Sequence, residues 1–90
     1  MALLIKSTGE EIQLHPNKGN IFTLRELQTV VDGYIEVVQI SKEYCMIINE
    51  EGKLISLPKN EKATRLYQNV RYTDDFIVGD VLICNNEELK

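Results

Sequence analysis

The most apolar stretch of the chain is Phe76-Ile77-Val78-Gly79-Asp80-Val81-Leu82-Ile83-Cys84. Both faces of a strand over residues 81–84 would be apolar, which is typical of a strand in the middle of a sheet. Gly79 interrupts the run and indicates a bulge or a bend. The stretch therefore predicts a central β-strand near the carboxyl end of the 90-residue chain.

A second local pattern predicts a helix over residues 24–31. Thr23 and Glu26 have the spacing of a capping box, in which the threonine oxygen accepts from a first-turn amide and the glutamate reaches back. Apolar residues then recur at helical spacing, at Leu24, Leu27, Val30 and Val31. Gly33 is expected to close this helix, because glycine adopts the left-handed conformation without steric cost.

The remaining segments complete the order β-β-α-β-β-β-α-β. Apolar or alternating runs predict strands over residues 2–6, 11–14, 34–40, 44–49 and 53–57. Gly52 is expected to supply the left-handed residue of the turn before residues 53–57. Asn60 is a good N-cap for a second short helix over residues 61–68.

These elements predict a single small α+β domain over residues 1–90. Most of the links are too short for parallel crossovers, so we expect an antiparallel-rich mixed sheet of about five to six short strands. Two short helices are expected to pack on one face of that sheet.

Composition argues against several classes of function. Lys and Arg total 10 against 14 Asp and Glu, so the basic excess of a direct nucleic-acid binder is missing. His15 is the only histidine, and Cys45 and Cys84 lie too far apart in sequence to resemble a zinc-binding pair. The sequence contains no Walker loop, dinucleotide-binding glycine motif or recognisable nucleophile–base pair. We therefore expect no catalytic residues, no metal and no cofactor.

The same features predict where the protein works. Both cysteines lie in apolar runs, and no secretion signal pattern opens the sequence. Buried thiols without such a signal are typical of a reducing cytosol. No apolar stretch approaches the roughly 20 residues that span a bilayer. We expect a cytoplasmic protein that does not enter membranes.

Several stretches resemble the motifs of a small family from phages and mobile elements, known as domain of unknown function 3846. They are Phe22-Thr23-Leu24-Arg25-Glu26-Leu27-Gln28 with Gly33-Tyr34-Ile35-Glu36-Val37-Val38, then residues 60–67, and then residues 77–83. The matches follow the family's order and cover nearly the whole chain. The resemblance implies a phage or mobile-element protein in bacterial host cytosol, a setting in which small proteins often inhibit host defence. It implies no agreed activity.

Glu36 is the first candidate for a binding residue. Alternation along residues 34–40 places Tyr34, Glu36, Val38 and Ile40 on one face, so a carboxylate interrupts an apolar surface. Glu36 could contact a ligand or a protein partner. It could equally be an edge-strand charge that discourages aggregation, or the ion-pair partner of a basic residue in the second helix.

The second helix supplies the other candidates, which are Asn60, Lys62, Thr64 and Arg65. Backbone amides at the start of this helix, with Lys62 and Arg65 nearby, could hold an anion such as a phosphate. Glu61 occupies the same positive end of the helix and works against anion binding. The alternative interpretation is a capped helix with a solvated polar face.

From these observations we expect a non-enzymatic phage or mobile-element accessory protein that binds a host protein and inhibits a bacterial defence system. The alternative is an oligomeric sponge that sequesters a small nucleotide-type signal. Its site at a subunit interface would use Tyr34, Glu36, Asn60, Lys62 and Arg65. Either way we expect a homo-oligomer, because small chains commonly form twofold-symmetric assemblies.

Overall fold

The computed structural model describes residues 2–89. Its elements in chain order are β1 (Ala2–Ile5), β2 (Glu11–Leu14), α1 (Leu24–Val31), β3 (Ile35–Gln39), β4 (Tyr44–Asn49), α2 (Glu61–Arg71), β5 (Val81–Asn85) and a short 3₁₀-helix (Asn86–Leu89). The five strands form one sheet in the order β2-β1-β5-β4-β3. All of its pairings are antiparallel, so within residues 2–89 the sheet is not mixed. The α+β class is confirmed, and the five strands fall within the predicted range of about five to six.

The strand predicted to be central, β5, lies in the middle of the sheet. It pairs with β1 through Leu3–Ile83 and with β4 through Cys45–Cys84. Val81, Leu82 and Cys84 are fully buried. Both faces of β5 are apolar, and the strand is shielded from water in the middle of the sheet. The N-terminal and C-terminal strands are therefore neighbours at the centre of the fold.

The prediction that both helices pack on one face is wrong, because the helices lie on opposite faces. Leu27 and Val31 of α1 pack with Cys45, Ile47, Leu82 and Cys84. Ala63, Leu66 and Tyr67 of α2 pack in a second cluster with Ile5, Val38, Met46, Ile77 and Val81. Successive residues of β4 and β5 point to opposite faces, and both strands are largely apolar. A single layer of helices would leave one of these apolar faces in water.

The prediction of a strand over residues 53–57 is also wrong, and with it the extra strand in the predicted element order. This segment forms successive turns, in which the Gly52 amide donates to the Asn49 carbonyl and the Leu57 amide donates to the Gly52 carbonyl. Gly52 has no left-handed backbone conformation. A Cβ atom there would lie 2.8 Å from Val78 Cγ2, so glycine allows close packing rather than a left-handed turn.

Both predicted helix starts are confirmed. Thr23 caps α1 in a complete capping box with Glu26, and the side chain of Asn60 caps α2. The ends differ from the prediction. Asp32, with φ 59° and ψ 49°, is the left-handed residue that ends α1, rather than Gly33. The α2 helix continues beyond residue 68 to Arg71, and a left-handed Tyr72 follows it.

Candidate protein-binding surface

Asn60 is a structural residue in the interior. Its side-chain amide is buried and donates to the carbonyls of Ile5 and Gly79, both at 2.9 Å. Its side-chain oxygen accepts from the Ala63 amide at 3.1 Å. Both polar atoms of this side chain are therefore used to join α2 to β1 and to the segment before β5, and neither is left for a ligand.

Thr64 is likewise buried and bound to the chain itself. Its hydroxyl accepts from the Ile77 amide at 2.9 Å and donates to the Ile77 carbonyl at 3.2 Å. These two hydrogen bonds satisfy the backbone amide and carbonyl of Ile77, which lies outside the five strands. Thr64 thus holds the approach to β5 against α2 and is inaccessible to a ligand.

The basic candidates of α2 do not form an anion site with these residues. The Lys62 ammonium donates to the Gly9 carbonyl at 2.6 Å and lies 2.8 Å from Glu11 Oε2. Arg65 is exposed, and it forms no ion pair within residues 2–89. The Ala63 amide, which an anion would need, already donates to Asn60. The arrangement matches a capped helix with a solvated face.

Glu36 lies apart from those residues, at the rim of a cleft of about 160 Å³ on the α2 side of the sheet. Tyr67 and Phe76 line the same cleft. Glu36 is exposed and pairs with neither Lys62 nor Arg65. Of the alternatives drawn from the sequence, an edge-strand charge and a contact for a partner both fit this position.

A Lys53–Asp75 ion pair closes one side of this cleft. The Lys53 ammonium also lies 4.5 Å from the centre of the Phe76 ring, a cation–π distance. The hydrogen bond from Lys53, followed by that from the Phe76 amide, lowers the pKa of the Asp75 carboxyl below its ordinary value. Lys53 is thereby neutralised within the chain, and the free charge at this cleft is negative.

The turn segment of residues 50–57 carries the most exposed apolar side chains near the cleft. Leu54 is 84% exposed and Ile55 is 56% exposed, while Tyr34 just before β3 is 65% exposed. Leu54 lines the cleft, whereas Ile55 and Tyr34 together line a second depression of about 280 Å³ beside the end of α1. We call Tyr34, Leu54 and Ile55 the apolar ridge.

Asn49 fixes the position of the apolar ridge, a role that no local sequence pattern indicates. Its buried amide donates to the Val31 carbonyl at 3.0 Å, and its side-chain oxygen accepts from the Glu51 amide at 2.8 Å. A Cβ atom on Gly33 would lie 2.7 Å from Asn49 Nδ2, so glycine is needed there for the close approach. The end of α1 and the start of the turn segment are thus held together by one side chain.

Acidic residues surround the apolar ridge. Asp32 and Glu51 line the depression beside α1, and Glu36 and Glu50 line the cleft. Among the described residues that line either space, Lys53 is the only basic one, and it is paired with Asp75. The surface therefore combines exposed apolar side chains with a negative rim, which is a pattern of protein-interaction sites.

Other kinds of site find little support in residues 2–89. They contain no cluster of three or more His, Cys, Asp or Glu side chains placed to hold a metal ion. Within the same described range, no helix has both the length and the apolar character needed to cross a membrane. The thiols of Cys45 and Cys84 are free and buried, with their sulfur atoms 3.7 Å apart.

The fold and this surface define a small α+β protein with helices on both faces of an antiparallel sheet and an acid-rimmed apolar ridge at one end. The chain belongs to the DUF3846 family, described as a domain of unknown function, whose model matches residues 1–89. This confirms the family resemblance drawn from the sequence. No curated protein and no solved structure matches the chain significantly.

Proposed function

We propose that this protein is a non-enzymatic binding protein whose apolar ridge docks onto another protein. The observation that carries the proposal is the joint exposure of Tyr34, Leu54 and Ile55 beside two depressions in the surface. Keeping large apolar side chains in water costs free energy that burial against a partner recovers, at about 25 cal/mol per Å². Fixed positions on a well-packed support reduce the entropy lost on binding.

The chemistry of the rim favours one kind of partner. Asp32, Glu36, Glu50 and Glu51 surround the apolar ridge, and the chain carries a net charge of −4. A partner with an apolar centre and a basic border would complement this surface, and the opposite charges would speed their association. We propose a host protein with such a patch.

The family supports a proposal for the biological setting. We infer that the protein is a phage or mobile-element accessory protein that acts in bacterial host cytosol and inhibits a host defence system by occupying one of its proteins. The resemblance of residues 22–28, 33–38, 60–67 and 77–83 to family motifs motivates this setting. An enzymatic role lacks support, since the sequence contains no recognisable nucleophile–base pair.

A capture experiment with two matched variants tests the proposal. Leu54→Ser with Ile55→Ser removes the tip of the ridge, and Ile21→Ser with Leu24→Ser removes two exposed apolar side chains elsewhere. Immobilised wild type and the Ile21/Leu24 variant should retain the same bacterial host protein, and the Leu54/Ile55 variant should lose it. Circular dichroism should show that all three are folded. Equal retention by both variants would contradict the proposed surface.

A ligand screen separates protein binding from the sponge alternative. Cyclic and ADP-ribose-type nucleotides at saturating concentration should leave the melting temperature unchanged, because a ligand that binds the folded chain raises it. A rise that disappears in Glu36→Ala or Arg65→Ala would overturn the protein-binding proposal in favour of a nucleotide sponge. Asn60 and Thr64 are unsuitable for this test because their substitution would disturb the interior.

A further inference from the structure

The outer edge of β3 has its backbone groups open to pairing. Within residues 2–89, β3 adjoins β4 on one side and no strand on the other. The Ile40 amide donates to the Tyr44 carbonyl and the Glu50 amide to the Tyr34 carbonyl, so the even-numbered residues face β4. Because backbone groups alternate in direction along a strand, the amides and carbonyls of Ile35, Val37 and Gln39 point outward.

One hydrogen bond confirms this orientation. Arg71, in the last turn of α2, reaches the edge and donates from Nη2 to the Gln39 carbonyl at 2.9 Å. A carbonyl has two acceptor positions, so Gln39 can still accept from a further amide. The guanidinium therefore lies beside the outer edge of β3 without closing it.

We propose that β3 pairs with β3 of a second copy of this chain, antiparallel and about a twofold axis at Val37. Val37 then exchanges two backbone hydrogen bonds with its counterpart, and Ile35 pairs with Gln39 of the second copy at both ends. The result is one continuous antiparallel sheet through the dimer. All three residues with outward backbone groups are used in this register.

Charge complementarity favours this register over one centred on Glu36. Glu36 comes to lie opposite Val38 of the second copy, next to the Gln39 carbonyl on which the second copy's Arg71 rests. Glu36 forms no ion pair within residues 2–89. Across the twofold axis, each Glu36 carboxylate lies near the Arg71 guanidinium of the other copy. Moving the axis to Glu36 would place two like charges directly opposite each other, which is destabilising.

The exposed side chain of Val37 supports the same pairing. Val37 is 48% exposed on the face opposite to Glu36, and the twofold axis buries it against its counterpart. β3 carries no lysine or proline, the residues that commonly protect a sheet edge. At the other edge, the Glu11 side chain of β2 is paired with Lys62. Leu54 and Ile55 lie outside this pairing. Tyr34 comes opposite Ile40 of the second copy, and Glu36 of the acidic rim faces the second copy's Arg71, so the dimer contact adjoins the proposed docking surface.

Mass measurement with a charge exchange tests the proposal. The wild type at micromolar concentration should have twice the 10.3 kDa mass of one chain by light scattering. Glu36→Arg and Arg71→Glu, each alone, should raise the dimer dissociation constant about tenfold or more, because each places like charges together. An equal mixture of the two variants should recover the dimer, since each chain then supplies the charges that complement the other.

The mixture distinguishes the proposed register from a dimer that forms through another surface of the chain. Circular dichroism of each variant should show a folded chain, because both side chains are exposed. If the wild type is still a monomer at 100 times the micromolar concentration used for light scattering, the proposal is overturned. A wild-type dimer that both single variants preserve, or that the mixture fails to recover, would place the interface elsewhere and overturn it as well.

Discussion

Substitution of Asn60 tests whether this residue belongs to the interior or to a binding site. In Asn60→Ala the carbonyls of Ile5 and Gly79 lose their donors and the Ala63 amide loses its cap. A buried polar group left without its partner costs about 1–3 kcal/mol, and a lost N-cap costs about 1 kcal/mol. With two carbonyls and one cap affected, the expected loss is about 3–7 kcal/mol, a large part of the roughly 5–15 kcal/mol that stabilises a small domain.

Urea unfolding followed by circular dichroism measures this loss, and two further variants make it specific. Asn60→Asp keeps the oxygen that accepts from Ala63 and removes the donor to Ile5 and Gly79, so it should be at least as destabilising at neutral pH. Lys62→Ala, which breaks an exposed ion pair, should cost no more than about 1 kcal/mol. If Asn60→Ala stays within about 0.5 kcal/mol of wild type, the interior role of Asn60 is refuted.

Three further predictions concern packing, thiols and pH. Gly33→Ala should destabilise the wild type by about 1 kcal/mol or more by displacing the Asn49 amide, and should cost much less in an Asn49→Ala background; equal cost in both would disprove the coupling. Cys45 and Cys84 are both fully buried, and the hydrogen bond with Cys45 together with burial raises the pKa of the Cys84 thiol. Because burial keeps reagents from both sulfur atoms, the two thiols should react with a disulfide reagent only after unfolding, and rapid labelling of the native chain would disagree. Hydrogen bonds from the Thr23 and Asn17 amides lower the pKa of Glu26 below its ordinary 4.5. The stability that this carboxylate contributes is therefore present above pH 4.5 and is lost as the pH falls through the folded-state pKa. If Glu26→Gln leaves the acid-range dependence of the unfolding free energy on pH unchanged, this contribution is contradicted.

The local elements could be predicted because their signals are local. The capping box of Thr23 and Glu26 and the N-cap Asn60 start their helices as expected, since each cap satisfies amides within its own first turn. The apolar run at residues 81–84 predicts the central strand for a similar reason. The same run argues against one layer of helices, because both of its faces need cover.

The candidate site was predicted less well because its causes are non-local. Residues 53–57 have the composition of a strand, but Gly52 packs against Val78 and turns the chain before pairing can begin. Asn60 and Thr64 have polar side chains typical of a helix surface. Both are buried, and they bond to backbone groups of Gly79 and Ile77, which are distant in sequence. The binding role of Tyr34 and Glu36 stays a prediction; both side chains are exposed, and α2 supplies no basic group to the cleft beside Glu36.

Hydrogen exchange on the complex with the captured host protein tests the central claim most directly. If the apolar ridge of Tyr34, Leu54 and Ile55 is the docking surface, amides of residues 50–57 should exchange more slowly in the complex than in the chain alone. Amides of residues 61–65, at the start of α2, should exchange at the same rate in both. Protection at residues 61–65 with none at residues 50–57 would contradict the account and return the binding site to α2.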